Sequence, residues 1–326
     1  MRPRPALSWR SVAQRRRYAR GLELVEARLA TVAGEYPGAL GQACVTTLEA
    51  GGKRVRPLLV LLCARRSAPL GEAVLRGAAA VELLHMATLV HDDVLDRAEV
   101  RRGRPTVAHR YGAPIAVSAG NYLLARAFSE LVGAGEPAAV DLLSATAVGL
   151  SEGEVLQRAE AFDTGVDEPA YERRCERKTG DLFAAACSLG AMLSAAGPPT
   201  VAAAREFGRL MGLAFQVFDD ILDCKGDEAS TGKRPGTDVR DGTITLPLIY
   251  ALEARPELEE LLARPGTDAD VAAVLRAVAE CGALERARAV ALRYIEEARS
   301  VLASCPDTVE RDLLGQVAAQ VVDRYS

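Results

Sequence analysis

The sequence predicts an all-α protein, and three observations carry that prediction. Apolar residues recur at helical spacing between breaks made by Gly and Pro, only 5% of the 326 residues are aromatic, and β-branched runs are scarce. Neither a hairpin signal nor a Gly-rich nucleotide fingerprint is visible. A 49% hydrophobic share suffices for a substantial core, in one large domain or two. The net charge of −4 gives no general reason to expect a nucleic acid partner. No run approaches the roughly 18 uncharged apolar residues of a transmembrane segment.

The chain opens on a basic stretch, residues 1–17, with Arg2, Arg4, Arg10, Arg15, Arg16 and Arg17 and no apolar signal core behind it. It reads as a mobile tail ahead of one folded domain over 18–326. A helix is expected from Tyr18 to Ala33, ended by Gly34 and Pro37. The run GGKRVRP, Gly51 to Pro57, then precedes the apolar LLVLLCA, with Pro57 placed as a first helical residue. Lys53 and Arg56 therefore stand at a helix N-terminus, where unpaired N–H groups and the dipole favour an anion. This is read as a phosphate cradle rather than a solvated basic turn.

The next helix, Glu72 to Asp96, has almost no polar face and belongs in the middle of a bundle. Its polar exceptions include Glu82, His85, His91 and three aspartates. His91 is read as a satisfied core residue, whereas His85 lies two turns before Asp92 on nearly the same face. Asp92 and Asp96 stand four residues apart, so both project from one side and can grip a divalent cation. Asp93 lies between them, and Arg101 and Arg102 follow. A second cluster, Asp219, Asp220 and Asp223 in FQVFDDILD, repeats the spacing at the end of another apolar run. Six carboxylates on one cavity would repel one another, and Mg²⁺ with a polyanionic ligand resolves the conflict.

Between the clusters, SEGEVLQ spans Ser151 to Gln157, and YERRCERKTGDLF places Lys178 and Thr179 in a helix that becomes wholly apolar. A lysine facing a core needs an anionic partner, and a surface salt bridge is the competing account. Only four lysines occur among the 40 basic residues, Lys53, Lys178, Lys225 and Lys233, and each lies in or near a singled-out stretch. Cys224 to Ile249 is polar and glycine-bearing, and its place directly after Asp223 favours a mobile lid over a plain connecting loop. Helices broken at Pro256, Pro265, Gly282 and Pro306 complete the chain. Seven scattered cysteines without a C-x-x-C pair fit a reduced cytoplasm.

Taken together, GGKRVRP, HDDVLD with RRGRPT, EGEVLQ, KTGDLF, FQVFDDILD, GKRPGTD and TLPLI resemble the trans-type polyprenyl diphosphate synthases, the family of farnesyl, geranylgeranyl and longer-chain synthases. The resemblance runs from about residue 45 to 250. It implies a single large antiparallel helical bundle around a deep central cavity, the isoprenoid synthase fold, with both acidic clusters at the mouth. It also implies a homodimer of such catalytic domains. Asp92, Asp96 and Asp219 match the main Mg²⁺ ligands, and Asp93, Asp220 and Asp223 match residues that complete or support them. Arg101, Lys178, Thr179, Gln216 and Lys233 match contacts to the allylic diphosphate; Lys53, Arg56, His85 and Arg102 match contacts to isopentenyl diphosphate. Lys225 has no counterpart.

Product length is expected to depend on the helix below Asp92. Thr88, Ala87 and Leu84 lie roughly 6, 7.5 and 12 Å down from it. Short-product relatives commonly place an aromatic residue at one of the first two positions; small Ala87 and Thr88 point to products of geranylgeranyl length or longer. Two departures stand out: Thr243 replaces a diphosphate-contacting lysine, and Asn121 replaces an aspartate near the first motif. A class I terpene cyclase is disfavoured by the second aspartate cluster and by Lys53, Arg56 and Arg102. A subunit of a heteromeric synthase is disfavoured because both clusters are intact.

Overall fold

The structure is a computed structural model that describes residues 7–67, 69–225, 235–304 and 309–323. It is all-α, as the periodicity predicts. Helices α1 (Val12–Gly34), α2 (Gly38–Glu49), α3 (Val55–Cys63) and α4 (Glu72–Leu95) lead to a two-stranded ribbon, β1 (Val100–Arg101) and β2 (Arg104–Pro105). Helices α5 (Val107–Tyr111), α6 (Ala113–Ala134), α7 (Pro137–Ala159) and α8 (Glu168–Cys175) follow. A π-helical turn (Glu176–Gly180) joins α8 to α9 (Asp181–Leu193), and α10 (Pro198–Lys225) comes next. The remaining helices are α11 (Thr237–Asp241), α12 (Leu246–Ala254), α13 (Glu259–Leu262), α14 (Asp268–Glu280), α15 (Ala283–Ser304) and α16 (Arg311–Asp323).

The chain forms two compact units. The first comprises residues 1–147, 184–205 and 302–317. Its centre is α4, which packs most extensively against α6. Ala78, Ala79, Ala80, Val81 and Leu83 are completely buried, and so are Ala116, Ala119, Leu123 and Ala127 of α6. Small residues on both helices let the backbones approach closely. By length and composition α4 is apolar enough to cross a membrane, yet 72% of that apolar window is buried inside the protein. It is the core helix expected from a run with no polar face.

Helix α1 begins earlier than Tyr18, so the tail expected over residues 1–17 is helical from Val12. Ser11 caps it by accepting from the Gln14 amide, and Trp9 stacks on Tyr18 with ring centroids 6.0 Å apart. Helix α3 likewise begins two residues before Pro57. Arg54 is its N-cap, in a left-handed conformation with φ 52° and ψ 38°. The ribbon was absent from the sequence expectation. Its turn residues Arg102 and Gly103 have φ of 55° and 74°, the pair of positive values that a two-residue turn of the I′ type requires.

The second unit comprises residues 148–183, 206–301 and 318–326. Phe207 and Phe218 of α10 are fully buried, and Phe215 meets Phe183 at 5.6 Å between ring centroids. Helix α10 passes close to the π turn: a Cβ on Gly212 would lie 2.7 Å from the Cα of Gly180.

In the first unit, a Cβ on Gly190 of α9 would meet the carbonyl oxygen of Val60 in α3 at 2.1 Å. Gly190→Ala should therefore destabilise the protein by about 1–3 kcal/mol through overpacking. Gly34, with nothing within 4 Å, is the control. Gly34→Ala should leave the denaturant midpoint unchanged or raised, and Gly190→Ala should lower it.

Candidate active site

The first acidic cluster closes α4. Asp96 is the C-cap, its N–H donating to the Asp92 carbonyl at 2.8 Å, and it is exposed, while Asp92 is half-buried. Asp93 is buried. Arg101 Nε donates to Asp93 Oδ1 at 2.6 Å. Burial raises the Asp93 carboxyl above its ordinary value, with Arg101 opposing it. The tight turn of the ribbon is what returns Arg101 to α4 and sets Arg102 at the tip. His91, expected to be satisfied, instead packs against Gly120 with Nε2 buried and no hydrogen-bond partner.

Two turns down α4, the predicted anion cradle comes together around His85. Burial comes first, followed by the positive charges of Arg56, Arg102, Arg101 and Arg54, in holding the His85 pKa well below that of an ordinary imidazole. His85 is therefore neutral at pH 7, able to donate from one ring nitrogen and accept at the other. Burial pushes the Arg56 guanidinium down to about 10, with Glu82 opposing and Arg102 adding to the shift. Lys53 is half-buried beside Arg54. Holding Arg54 in the left-handed region costs about 1–2 kcal/mol. The compensation is ionic: Arg54 Nη1 donates to Glu82 Oε1 at 2.8 Å and Nε to Glu26 Oε1 at 2.7 Å.

The second acidic cluster lies on α10. Asp219 is half-buried, and Asp220 is buried with a satisfied carboxylate. Tyr171 Oη donates to Asp220 Oδ2 at 2.6 Å, and Gln216 Nε2 donates to Oδ1 at 2.8 Å. Thr179 Oγ1 donates in turn to Gln216 Oε1 at 2.7 Å, so a chain of hydrogen bonds runs from the π turn to the acidic cluster. Burial raises the Asp220 carboxyl well above its usual range; the Tyr171 and Gln216 bonds moderate the rise, and Asp219 adds to it. Asp223 accepts from the amides of Thr237 and Asp238 at 3.1 Å each, anchoring α11.

Lys178 has the anionic partner its position demanded. Its Nζ donates to Glu154 Oε2 at 2.6 Å and to Gln157 Oε1 at 2.8 Å, both from the EGEVLQ run on α7. A π turn, one residue wider than an α turn, is a common device at functional sites, and here it presents Lys178 and Thr179 side by side. Lys233, with residues 226–234 of the expected lid, lies outside the described residues. Lys225 ends α10 and is exposed; Thr243 is buried, its amide bonded to the Asp238 carbonyl at 2.8 Å; Asn121 is exposed on α6. Of the length-setting residues, Leu84 and Ala87 are buried, and Thr88 donates to the His85 carbonyl at 2.9 Å.

Several contributors escaped the sequence reading. Glu82 was visible as a lone carboxylate in an apolar run, three residues before His85, and Glu154 and Gln157 share the same i, i+3 spacing. Nothing local marks Tyr171, because its partner lies on another helix.

The donor set suits a hard divalent cation. Among the described residues no three His, Cys, Asp or Glu side chains converge into a ready-made metal cage. Mg²⁺ is ordinarily held by one or two carboxylates, several waters and substrate phosphate oxygens, so a sparse aspartate set beside an anion cradle is what it requires.

The polyprenyl synthetase family model matches residues 37–280. This chain belongs to the polyprenyl synthetase family. Heptaprenyl diphosphate synthase component 2 of Geobacillus stearothermophilus is 40% identical over 295 residues, covering 90% of this chain and 92% of that one. Geranylgeranyl diphosphate synthase of Methanosarcina mazei is 37% identical, with 88% and 90% covered. A crystal structure of a polyprenyl synthase from Caulobacter crescentus CB15, complexed with calcium and isoprenyl diphosphate, superposes with a TM-score of 0.83 at 32% identity, covering 94% of each chain. Like the rest of this family of trans-type prenyl diphosphate synthases, the protein is a prenyltransferase with the isoprenoid synthase fold.

The depressed pKa of His85 has a thermodynamic signature. An unfolded histidine titrates near 6.5. Below that pH the unfolded chain binds a proton that the folded chain refuses. The His85 contribution is thus complete above about 6.5 and is lost as pH falls toward the lower folded value, by up to about 1.4 kcal/mol per pH unit. Urea unfolding at intervals from pH 7 to pH 5 should give a shallower loss for His85→Gln than for the wild type.

Proposed function

We propose that this synthase condenses isopentenyl diphosphate with an allylic diphosphate in a Mg²⁺-dependent reaction and makes a trans product of geranylgeranyl length or longer. The carrying observation is the arrangement along α4, where a neutral histidine ringed by arginines lies two turns from a carboxylate cluster and Arg101 links the two. In this reading residues 18–326 act as one catalytic domain. Lys53, Arg56, His85 and Arg102 receive the diphosphate of isopentenyl diphosphate. Arg101, Lys178, Thr179, Gln216 and Lys233 receive that of the allylic substrate. Asp92, Asp96 and Asp219 serve as metal ligands, supported by Asp93, Asp220 and Asp223.

Bound Mg²⁺ would supply charge neutralisation for the departing diphosphate. The basic side chains add fixed positive charge where the leaving group develops negative charge. The allylic C1–O bond breaks and its electron pair leaves with diphosphate. The isopentenyl double bond attacks the resulting allylic cation at C1, and loss of the C2 proton of the isopentenyl unit to diphosphate restores a trans double bond. No protein nucleophile takes part, so the protein's tasks are to bind, to orient and to exclude water.

Small Ala87 and Thr88 below Asp92 favour a long product, because neither is an aromatic residue that would block a growing chain there. The exposed face of α6 supports a second subunit. Val117 and Val132 are 41% and 68% exposed, while the helix's only charges, Arg126 and Glu130, are taken up by Glu35 and by Arg28 and Arg76. A homodimer is the first reading of that face. The likeness to a heptaprenyl synthase component 2 favours a second, in which a different polypeptide covers it.

Purified protein given Mg²⁺, farnesyl diphosphate and isopentenyl diphosphate should form polyprenyl diphosphate and stop when the metal is chelated. With shorter primers, farnesyl diphosphate as the sole end product would refute the length assignment. Inactivity relieved only by a second polypeptide would establish the two-component reading. Ala87→Phe should shift the product to a shorter chain while leaving the first condensation within about threefold of wild type. An unchanged product distribution would overturn the assignment of Ala87.

A further inference from the structure

Arg54 is the one cation of GGKRVRP to which the sequence reading gave no role, and it is the most buried of the three. Its guanidinium is turned into the first unit and used on several sides. Nη1 meets Glu82 Oε1 at 2.8 Å, Nε and Nη2 meet the Glu26 carboxylate at 2.7 and 3.4 Å, and Nη2 also donates to the Leu48 carbonyl at 3.4 Å. Glu82 is 4% exposed, in the middle of α4, one turn before His85. Gly52 marks how crowded the spot is. A Cβ there would lie 3.2 Å from Arg54 Nη1, 3.3 Å from Arg102 Nη1 and 3.8 Å from Glu82 Oε1. Two guanidinium groups thus flank one glycine, with the Glu82 carboxylate close by.

We propose that Arg54 is not an anion ligand but the arm of an ionic clamp closed by Glu82 and Glu26, and that this clamp positions Lys53 and Arg56 to receive isopentenyl diphosphate. The inference rests on the preceding assignment of those two residues. Arg54 is the left-handed N-cap from which α3 starts, so its conformation fixes the direction in which Lys53 leaves the turn and Arg56 enters the helix. A left-handed arginine persists only where its surroundings over-determine it. Glu82 does this from the rigid core helix that also carries His85, which places the turn and the histidine in one frame. The same carboxylate offsets the mutual repulsion of Arg54, Arg56 and Arg102 before substrate arrives. Glu82 and Arg54 are therefore positioning residues: they touch no substrate and act through Lys53 and Arg56.

The test is steady-state kinetics on Glu82→Gln, which keeps the shape and removes the charge, together with Glu26→Gln at the more exposed end of the clamp. Loss of a charge-assisted bond should raise KM for isopentenyl diphosphate about tenfold in Glu82→Gln and by a smaller factor in Glu26→Gln. KM for the allylic substrate should stay within about twofold and kcat within about threefold. An isopentenyl KM unchanged while thermal stability falls would reduce the clamp to a structural pair and overturn the proposal, as would equal shifts in both KM values. If Glu82→Gln does not fold, Glu26→Gln decides by the same criteria. Calorimetric titration with inorganic pyrophosphate in chelator gives a readout without turnover, and weaker binding in the variants is the expected result. A wild-type protein that binds pyrophosphate but consumes no isopentenyl diphosphate, either alone or with a second polypeptide, would refute the proposed function, while the calorimetric comparison would still decide the clamp.

Discussion

Everything in the first unit answers to one constraint: α4 is buried over most of its length and yet carries Glu82, His85 and Asp93. A helix without a polar face cannot turn such groups to water, so each must be compensated where it stands. The compensation comes from chain segments distant in sequence. Arg54 reaches Glu82 from the turn before α3, and Arg101 reaches Asp93 from the ribbon beyond α4. His85 solves the problem differently, by remaining uncharged. The result is a prearranged positive cluster whose geometry is paid for by core packing rather than by a ligand.

The second unit buries a carboxylate under the same constraint and meets it with neutral donors. Asp220 is held by a phenol and an amide, Tyr171 and Gln216, and the amide is tied to Thr179 on the π turn. Neutral donors bring no positive charge to the cluster, and burial raises the Asp220 carboxyl well above its usual range, whereas a guanidinium stands directly on Asp93. The two aspartate motifs look alike as strings but are electrostatically different. Asp223 differs again, since its two amide donors bind it to the start of α11.

How much of this was legible follows from distance along the chain. The i, i+4 aspartates, the apolar run of α4 and the Gly–Pro breaks are local patterns, and the helices they predict are present within a few residues. The left-handed Arg54 was not legible, because nothing in GGKRVRP distinguishes an arginine that faces carboxylates from one that faces solvent. The ribbon was missed because arginine is a poor turn former and only Gly103 hints at a positive φ. Tyr171 could not be linked to Asp220, since that pairing exists only once α8 and α10 have packed. The residues that were read, Asp92, Lys178 and Gln216 among them, were accessible because they sit in strings with a known family order, whereas Glu82, Glu26 and Tyr171 sit outside such strings.

The π turn at Glu176–Gly180 has a bearing on how this chain tolerates change in length. One residue in an α-helix corresponds to a rotation of about 100°. The wider turn lets Tyr171 and Arg174 of α8 address Asp220, Glu160 and the Ile244 carbonyl while Phe183, beyond the turn, still faces Phe215. An uninterrupted α-helix could serve one of these two sets of neighbours but not both. The segment therefore works as a phase adjuster between two stretches of helix. Removing a single residue there would not simply shorten a helix; it would turn half of the hydrogen-bond chain away from the acidic cluster.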